Sequence, residues 1–204
     1  KNKLIEHSIY RELYNPVENT KINFKTNNQA NIDNLINIIK EKQNQVCYVI
    51  DYTDFDMVVD FINNSYNNFC VLKIYSNIIE NFNSEKATIL KGLSKKYNFL
   101  IYDGYNFNTS KKIFLNEITQ NYKFYEWVDI INLNFNHDDE IFTSISYINK
   151  THNKNISVVY ESIEGTTKIK HLLKDIVIGT TQINFKNIFK FGEKNCDIYY
   201  KYKK

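Results

Sequence analysis

Histidine and carboxylate side chains occur together at one point of the sequence, where His137 precedes Asp138, Asp139 and Glu140. Imidazole nitrogen and carboxylate oxygen atoms are common metal ligands. Acidic residues are also favourable in the first turn of a helix, because they face the positive end of the helix dipole. The other histidines have no ligand-like spacing, so we predict no metal site and interpret this run as the solvated start of a helix.

The sequence contains no recognisable motif for nucleophilic catalysis. The chain has three cysteines, at Cys47, Cys70 and Cys196, with no Cys-x-x-Cys pair and no Gly-x-Ser-x-Gly turn. Cys47 and Cys70 lie in apolar runs, which is typical of buried thiols. We therefore expect a reducing intracellular compartment such as the cytoplasm. The five glycines include no Gly-x-Gly-x-x-Gly phosphate loop, and we predict no cofactor.

Length and composition bound the class of protein. The 204 residues suit one domain spanning 1–204, with 1–31 as a polar N-terminal extension. A hydrophobic content of 43% excludes a disordered chain. No apolar run reaches about 18 residues, so no membrane span is expected. The net charge of +3 is dispersed, and the lysines near the C-terminus read as a solvated tail without a strong nucleic-acid signal. Abundant Asn, Ile, Lys and Tyr are typical of an AT-rich genome, for example that of a large DNA virus.

Short apolar runs alternate with helical patterns along the chain, which indicates a parallel sheet with crossover helices. Helices are predicted at Ile32–Lys42, Asp54–Asn63, Ser84–Tyr97 (with Ser84 as N-cap and Glu85 in the first turn), Ser110–Tyr122, Asp139–Asn149 and Thr166–Leu173. Strands are predicted at Val46–Ile50, Phe69–Ile74, Phe99–Tyr102, Val128–Leu133, Ile156–Tyr160, Asp175–Gly179 and Ile198–Tyr200. Periodicity alone leaves both a closed barrel and an open doubly wound sheet as candidates.

Four segments carry a family resemblance. They read QVCYVID at Gln45–Asp51, CVLKIYSNIIENF at Cys70–Phe82, KKYNFLIYDGYNF at Lys95–Phe107 and YEWVDIINLNF at Tyr125–Phe135. In this order and spacing they resemble orotidine 5′-monophosphate decarboxylase of the eukaryotic type. The resemblance implies an α/β fold, a (β/α)8 TIM-type barrel, usually a homodimer with its site at the carboxyl ends of the strands. We expect it to be truncated or irregular at the C-terminal strands.

The resemblance also implies a chemistry for which this chain lacks the residues. Decarboxylation by this family develops negative charge at a pyrimidine carbon without a cofactor, and it needs a lysine held between carboxylates. The family supplies them as Asp-x-Lys-x-x-Asp. Aligned without a gap, those three positions here are Gly104, Asn106 and Thr109.

A shift of the alignment by one residue does not recover the motif. The three positions then become Asp103, Tyr105 and Asn108, again without a lysine. Neither asparagine nor tyrosine is a cationic acid at neutral pH. Lys111 and Lys112 are near in sequence, but we expect them to lie in the following helix. The catalytic residues are therefore predicted to be lost.

Some polar residues of the family pattern are retained. Asp51 ends the first matched strand, Lys73 lies near the end of the second, and Asn132 matches a family asparagine. The resemblance implies contact of the charged pair with the ribose of a ligand. Asp51 and Lys73 could equally be a leftover ion pair at the barrel mouth.

The phosphate-binding elements of the family are degraded. Gly179 to Thr181 lie near the place of a Thr-Pro-Gly loop without its Pro-Gly. The segment DIYYK at Asp197–Lys201 replaces a strand that ends in Gly-Arg-Gly. Lys201 offers a point charge but no bidentate arginine grip.

Three functions follow as hypotheses. The favoured one is a catalytically inactive decarboxylase-like protein that binds a protein partner or forms a homodimer. The second is a retained nucleotide or small-molecule pocket built on Asp51, Lys73 and Asn132. The third, an active pyrimidine-nucleotide decarboxylase, is opposed by the lysine-free stretch from Asp103 to Thr109.

Overall fold

The computed structural model describes residues 29–107, 111–121, 123–134, 139–161, 177–180, 189–191 and 196–200. Its helices are α1 (Gln29–Lys42), α2 (Phe55–Ser65), α3 (Ser84–Tyr97), α4 (Lys111–Asn116), α5 (Phe124–Trp127) and α6 (Asp139–His152). A 3-10 turn follows α2 at Tyr66–Asn68, and a π-helical turn follows α4 at Glu117–Asn121. The strands are β1 (Val46–Val49), β2 (Val71–Ile74), β3 (Leu100–Asn106), β4 (Ile130–Asn134), β5 (Ser157–Glu161), β6 (Val177–Thr180), β7 (Phe189–Phe191) and β8 (Cys196–Tyr200).

The strands form a closed barrel in the order β1 to β8. Strands β1 to β7 run parallel to their neighbours in sequence. β8 is antiparallel to both β7 and β1, and Cys196 pairs with Cys47 while Tyr200 pairs with Phe189. This confirms the α/β barrel and the expected irregularity at the C-terminal strands, and it selects the barrel over the open sheet.

Two layers of apolar side chains hold the barrel together. The outer layer lies between the strands and the surrounding helices and includes Leu72, Ile101 and Ile131. The inner layer lies at the amino end of the barrel and includes Val71, Leu100 and Ile130. Helix α1 closes this end, because its buried Ile32, Leu35 and Ile38 belong to the same inner cluster. This burial supplies the main driving force for the fold.

The start of α1 corrects the sequence analysis. Residues 29–31 belong to the helix and not to an N-terminal extension. Asn31 is buried, and its amide donates hydrogen bonds to Asn155 O and to Ser157 Oγ. These bonds tie the helix to the start of β5. Periodicity missed this turn because polar Asn31 is held by hydrogen bonds and not by apolar packing.

The N-cap of α3 is also different from the prediction. Asn83, and not Ser84, accepts hydrogen bonds from the backbone amides of Glu85 and Lys86, at 3.1 and 3.0 Å. Asn98 ends the helix in the left-handed conformation with φ of 51°. Asparagine is favoured at both ends, since its short polar side chain caps amides and tolerates positive φ.

The helix predicted at Ser110–Tyr122 is interrupted. It begins at Lys111, which confirms that Lys111 and Lys112 lie in the helix after β3, but it changes to a π-helical turn at Glu117. Thr119 Oγ1 donates to Leu115 O at 2.7 Å, and such a bond back to the previous turn competes with regular helix. The helix α5 and strand β7 were not predicted because they have only four and three residues.

The bounds of the remaining described elements agree with the predicted bounds within a few residues. The predicted helix Thr166–Leu173 lies outside the described residues. Within the described part of the chain, no helix has the length and apolarity to cross a membrane.

Candidate functional site

Lys73 lies near the carboxyl end of β2, level with Val49 on β1 and Tyr102 on β3. Its ammonium lies 4.7 Å from the ring centroid of Tyr102 and 5.4 Å from that of Tyr75. These are cation–π distances. Among the described residues, the structure records no hydrogen bond or ion pair for this ammonium. Its donors are therefore available to an anionic or carbonyl group at the barrel mouth.

Tyr102 connects Lys73 to the predicted residue Asn132. Its side chain is 1% exposed, and its hydroxyl donates to Asn132 Oδ1 at 3.0 Å. The structure thus brings Lys73 to the ring of Tyr102 and Asn132 to its hydroxyl, with Asn132 itself buried on β4. Tyr102 was not among the predicted site residues, although a hydroxyl that follows two aliphatic residues at the end of a strand is a usable signal.

Asp51 is not part of this cluster. It lies beyond the end of β1, where the last ladder bond joins Ile50 N to Lys73 O at 2.9 Å, and its side chain is exposed. The structure records no ion pair between Asp51 and Lys73, both of which are described. The leftover ion pair considered from the sequence is absent between these two residues, and a ligand role for Asp51 stays a prediction.

Gly104 occupies the first position of the lost catalytic motif in the ungapped alignment. A Cβ atom built there would lie 2.6 Å from Lys73 Cε and 2.6 Å from Tyr75 Cε1. Both distances are far below van der Waals contact, so a side chain at 104 requires Lys73 and Tyr75 to move. The stem of Lys73 thus fills the space beside the position where the family pattern has a carboxylate.

A bulge in β3 follows directly. Asp103 pairs with Ile131, but the next pairing is Asn106 with Asn132, so Gly104 and Tyr105 have no partner on β4. Bulges re-aim side chains next to them and are frequent near active sites. Asn106, the position of the family lysine, ends β3 at this level, while Thr109 lies outside the described residues.

Asp103 is fully buried at this bulge. Its Oδ1 accepts hydrogen bonds from Tyr105 N at 2.8 Å and, more weakly, from Ser76 N at 3.4 Å. Asp103 Oδ2 and Ser76 Oγ have no hydrogen-bond partner with acceptable geometry. The carboxylate therefore ties the segment after β2 to the bulge of β3.

Burial raises the pKa of Asp103 to about 6. Hydrogen bonds from Ser76 and Tyr105 oppose this shift of the pKa, and the charge of Lys73 is the weakest opposing influence. The Ser76 hydroxyl also lowers this pKa, although its geometry falls short of a regular hydrogen bond. Lys73 and Asp103, both of which the structure describes, do not form an ion pair with each other. This part of the site therefore does not contain a lysine held between two carboxylates.

A second carboxylate lies behind the bulge. Tyr105 Oη donates to Glu117 Oε1 at 3.1 Å, while Glu117 Oε2 is buried without a hydrogen bond. Glu117 begins the π-helical turn, a feature that often accompanies functional sites. This contact could not be predicted from the sequence, because it depends on the bulge.

The other predicted site residues lie at the ends of described segments or outside the described residues. Asp139 begins α6, in agreement with the interpretation of the acidic run as a helix start, while His137 and Asp138 lie outside the described residues. Gly179 and Thr180 end β6, and Thr181 and Lys201 are not described. In the ranges that the structure describes, no group of three metal-ligating side chains comes together.

The fold and site define an α/β barrel with a polar cluster at the carboxyl ends of β2 to β4. Comparison with curated proteins finds orotidine 5′-phosphate decarboxylases. That of Saccharomycopsis fibuligera is 33% identical over 106 residues, covering 50% of this chain and 39% of the relative. That of Saccharomyces cerevisiae is 31% identical over 100 residues, covering 48% and 38%. Over about half of its length the chain is therefore similar to orotidine 5′-phosphate decarboxylases, and it spans about two fifths of the length of these relatives.

Solved structures give weaker similarity. Orotidine 5′-monophosphate decarboxylase from Methanocaldococcus jannaschii, complexed with the inhibitor BMP, is 12% identical with a TM-score of 0.45, covering 64% of this chain and 59% of that one. A 3-hexulose-6-phosphate synthase is 13% identical with a TM-score of 0.45, covering 70% of both chains. No protein-family model matches the chain.

Proposed function

We propose that this protein is a catalytically inactive decarboxylase-like barrel that acts by binding another protein or a second copy of itself. The observation that carries the proposal is the environment of Gly104. The stem of Lys73 and the ring of Tyr75 lie where a side chain at 104 would stand, so an acidic residue has no room there in the present arrangement.

The chemistry of decarboxylation supports the same proposal. The developing carbanion needs a cationic proton donor positioned by carboxylates. Strand β3 contains no lysine, and Lys111 and Lys112 begin the helix that follows it. The ammonium of Lys73 lies against two aromatic rings. Among the described residues, no pair of carboxylates forms ion pairs with it.

The reversed direction of β8 is a second support. In a regular barrel, the loop after the last parallel strand opens at the mouth, where phosphate is bound. Here Tyr200 pairs with Phe189, the first residue of β7, so the chain leaves β8 at the opposite rim. The DIYYK segment is therefore poorly placed to replace the family's Gly-Arg-Gly grip, and phosphate contacts supply much of the binding energy for such reactions.

An ultraviolet assay with orotidine 5′-monophosphate tests the absence of catalysis. We expect the purified chain to convert no substrate above the uncatalysed rate, while the Saccharomyces cerevisiae decarboxylase under the same conditions serves as the positive control. Turnover proportional to the concentration of this chain would overturn the proposal. Light scattering on the same sample measures whether it forms a homodimer.

A retained anion pocket is the second candidate function, favoured by the available donors of Lys73 beside the Tyr102–Asn132 hydrogen bond. Its ligand would be a nucleotide or a related small molecule. Calorimetry with UMP, a nucleoside and a barbiturate analogue tests it, with Lys73→Ala as the variant and the exposed Lys96→Ala as the control. Heat of binding that is lost in Lys73→Ala alone would support the pocket, and no heat with any ligand would exclude it.

A further inference from the structure

A groove of about 320 Å³ lies on the outside of the barrel, between α3 and α5 and away from the mouth. Its lining includes Lys91, Gly92 and Lys95 of α3 and Lys123, Glu126 and Trp127 at α5. We refer to it as the α3–α5 groove. Nothing in the decarboxylase-like chemistry uses this surface.

Gly92 is an exposed glycine of α3 that lines the groove. It lies inside α3, where glycine costs about 0.5–1 kcal/mol relative to alanine. A Cβ atom at this position would have no atom within 4 Å apart from its two chain neighbours and the nearby backbone of its own helix. No neighbour in the described structure therefore requires the missing methyl group, and its absence leaves the helix backbone accessible at the floor of the groove.

Trp127 makes the floor rigid and apolar. It is 2% exposed, and its ring lies 5.1 Å from that of Phe82 and 5.4 Å from that of Phe124, measured between centroids. A fixed apolar floor beside an accessible backbone suits an inserted aliphatic side chain. The buried ring has no open face for stacking on a nucleic-acid base.

The rim of the groove carries three lysines and one glutamate, and with Asp129 beside Lys91 these groups have a net charge of +1. Lys91 is anchored 2.6 Å from Asp129, whose other oxygen accepts from Ile101 N at 3.0 Å. Lys123 is 4.0 Å from Glu126, and Lys95 is exposed. The rim carries single ammonium charges and no arginine fork, which suits separate carboxylates better than one phosphate group.

The geometry points to the α3–α5 groove as a docking site for an acidic segment of a protein partner, with carboxylates on the lysine rim and an aliphatic side chain above Gly92. This inference names a surface for the proposed interaction function and rests on that function for its role. Its test is independent of the turnover assay: a chain that decarboxylates would overturn the proposed function and leave the groove unaffected.

The probe is a dansyl-labelled peptide in which glutamates flank a central leucine. Trp127 is the only tryptophan of the chain, so energy transfer from it to the dansyl group reports that the peptide binds the chain, and the variants of groove residues locate the binding site. We expect binding that weakens with salt and transfer that is absent with a peptide containing glutamine in place of glutamate. Lys95→Glu should weaken binding roughly tenfold through repulsion at the rim, and Gly92→Leu should abolish it by filling the floor.

Lys96→Glu is the matched control, because it changes the same charge on the same helix outside the groove. Circular dichroism of each variant shows that α3 is intact, which leucine in place of glycine should favour. The inference is overturned if the peptide does not bind, if Lys96→Glu weakens binding as much as Lys95→Glu, or if inorganic phosphate at the peptide's concentration displaces it. Concentration-dependent self-association that Gly92→Leu abolishes would instead assign the groove to a second copy of the chain, and would also overturn it.

Discussion

At the scale of single residues, the polar cluster is built around residues whose roles depend on their neighbours. Asp103 looks in sequence like one shifted member of a catalytic motif. In the structure it is buried, and its carboxylate accepts hydrogen bonds from Ser76 N in the segment after β2 and from Tyr105 N in the bulge of β3. Lys73 looks like a ribose contact, and it is also the group that fills the space beside Gly104. Local contacts, and not residue types, decide what the site can do.

The raised pKa of Asp103 makes a prediction about stability. Below pH 3.8 the carboxyl is protonated in both folded and unfolded chains, and between 3.8 and about 6 only the unfolded chain ionises. The free energy of unfolding therefore falls as the pH rises through this range, by about 3 kcal/mol in total. Asp103→Asn keeps an oxygen for Tyr105 N and Ser76 N, and it should raise stability at pH 8 but not at pH 3.5.

Urea denaturation at the two pH values measures this effect. The exposed Asp60→Asn is the control, and we expect no pH-dependent change from it. An equal change in the free energy of unfolding of Asp103→Asn at both pH values would show that ionisation of Asp103 does not destabilise the fold.

At the scale of secondary structure, the boundaries of α3 give the clearest comparison between sequence and structure. Asn83→Ala should lower the free energy of unfolding by about 1 kcal/mol, because the amides of Glu85 and Lys86 lose their acceptor. Ser84→Ala should have almost no effect, since Ser84 lies inside the helix. Thermal denaturation of both variants distinguishes the observed cap from the predicted one, and the opposite ranking would contradict the structure.

Most elements could be predicted from the sequence, because the apolar runs mark the residues that are buried between the strands and helices of the barrel. It did not predict β7 or α5, since three or four residues are too few to show a period. It also could not predict the bulge at Gly104 and Tyr105. That irregularity depends on pairing with Ile131 and Asn132, which is a property of two strands together.

The same dependence on contacts between elements decides which residues of the candidate site could be predicted. Lys73 and Asn132 were predicted as site residues from the family resemblance of their strands, and in the structure both interact with Tyr102. Asp51 matched the pattern but lies exposed beyond β1. Glu117 was missed because its partner Tyr105 is turned toward it by the bulge. Contacts between elements are the part of a site that one strand's residues do not encode.

At the scale of the whole molecule, the barrel is closed by a short seam between β1 and β8. β8 joins β1 through the pairs Val46–Asp197 and Cys47–Cys196, far apart in sequence, whereas β4 and β5 pair over five residues. We expect backbone amides of β8 to exchange with deuterium faster than those of β3 and β4 under native conditions. Exchange followed by mass spectrometry measures this, and equal protection of β8 and β3 would show that the barrel opens as one unit.

The late position of β8 in the chain has a consequence during synthesis. Until Cys196–Tyr200 leaves the ribosome, β1 has no neighbour on one side and presents an open edge of amides and carbonyls. Such an edge accepts any compatible strand, including β8 of another nascent copy. A barrel closed by a reversed last strand is therefore a natural candidate for strand exchange between chains made on the same messenger RNA.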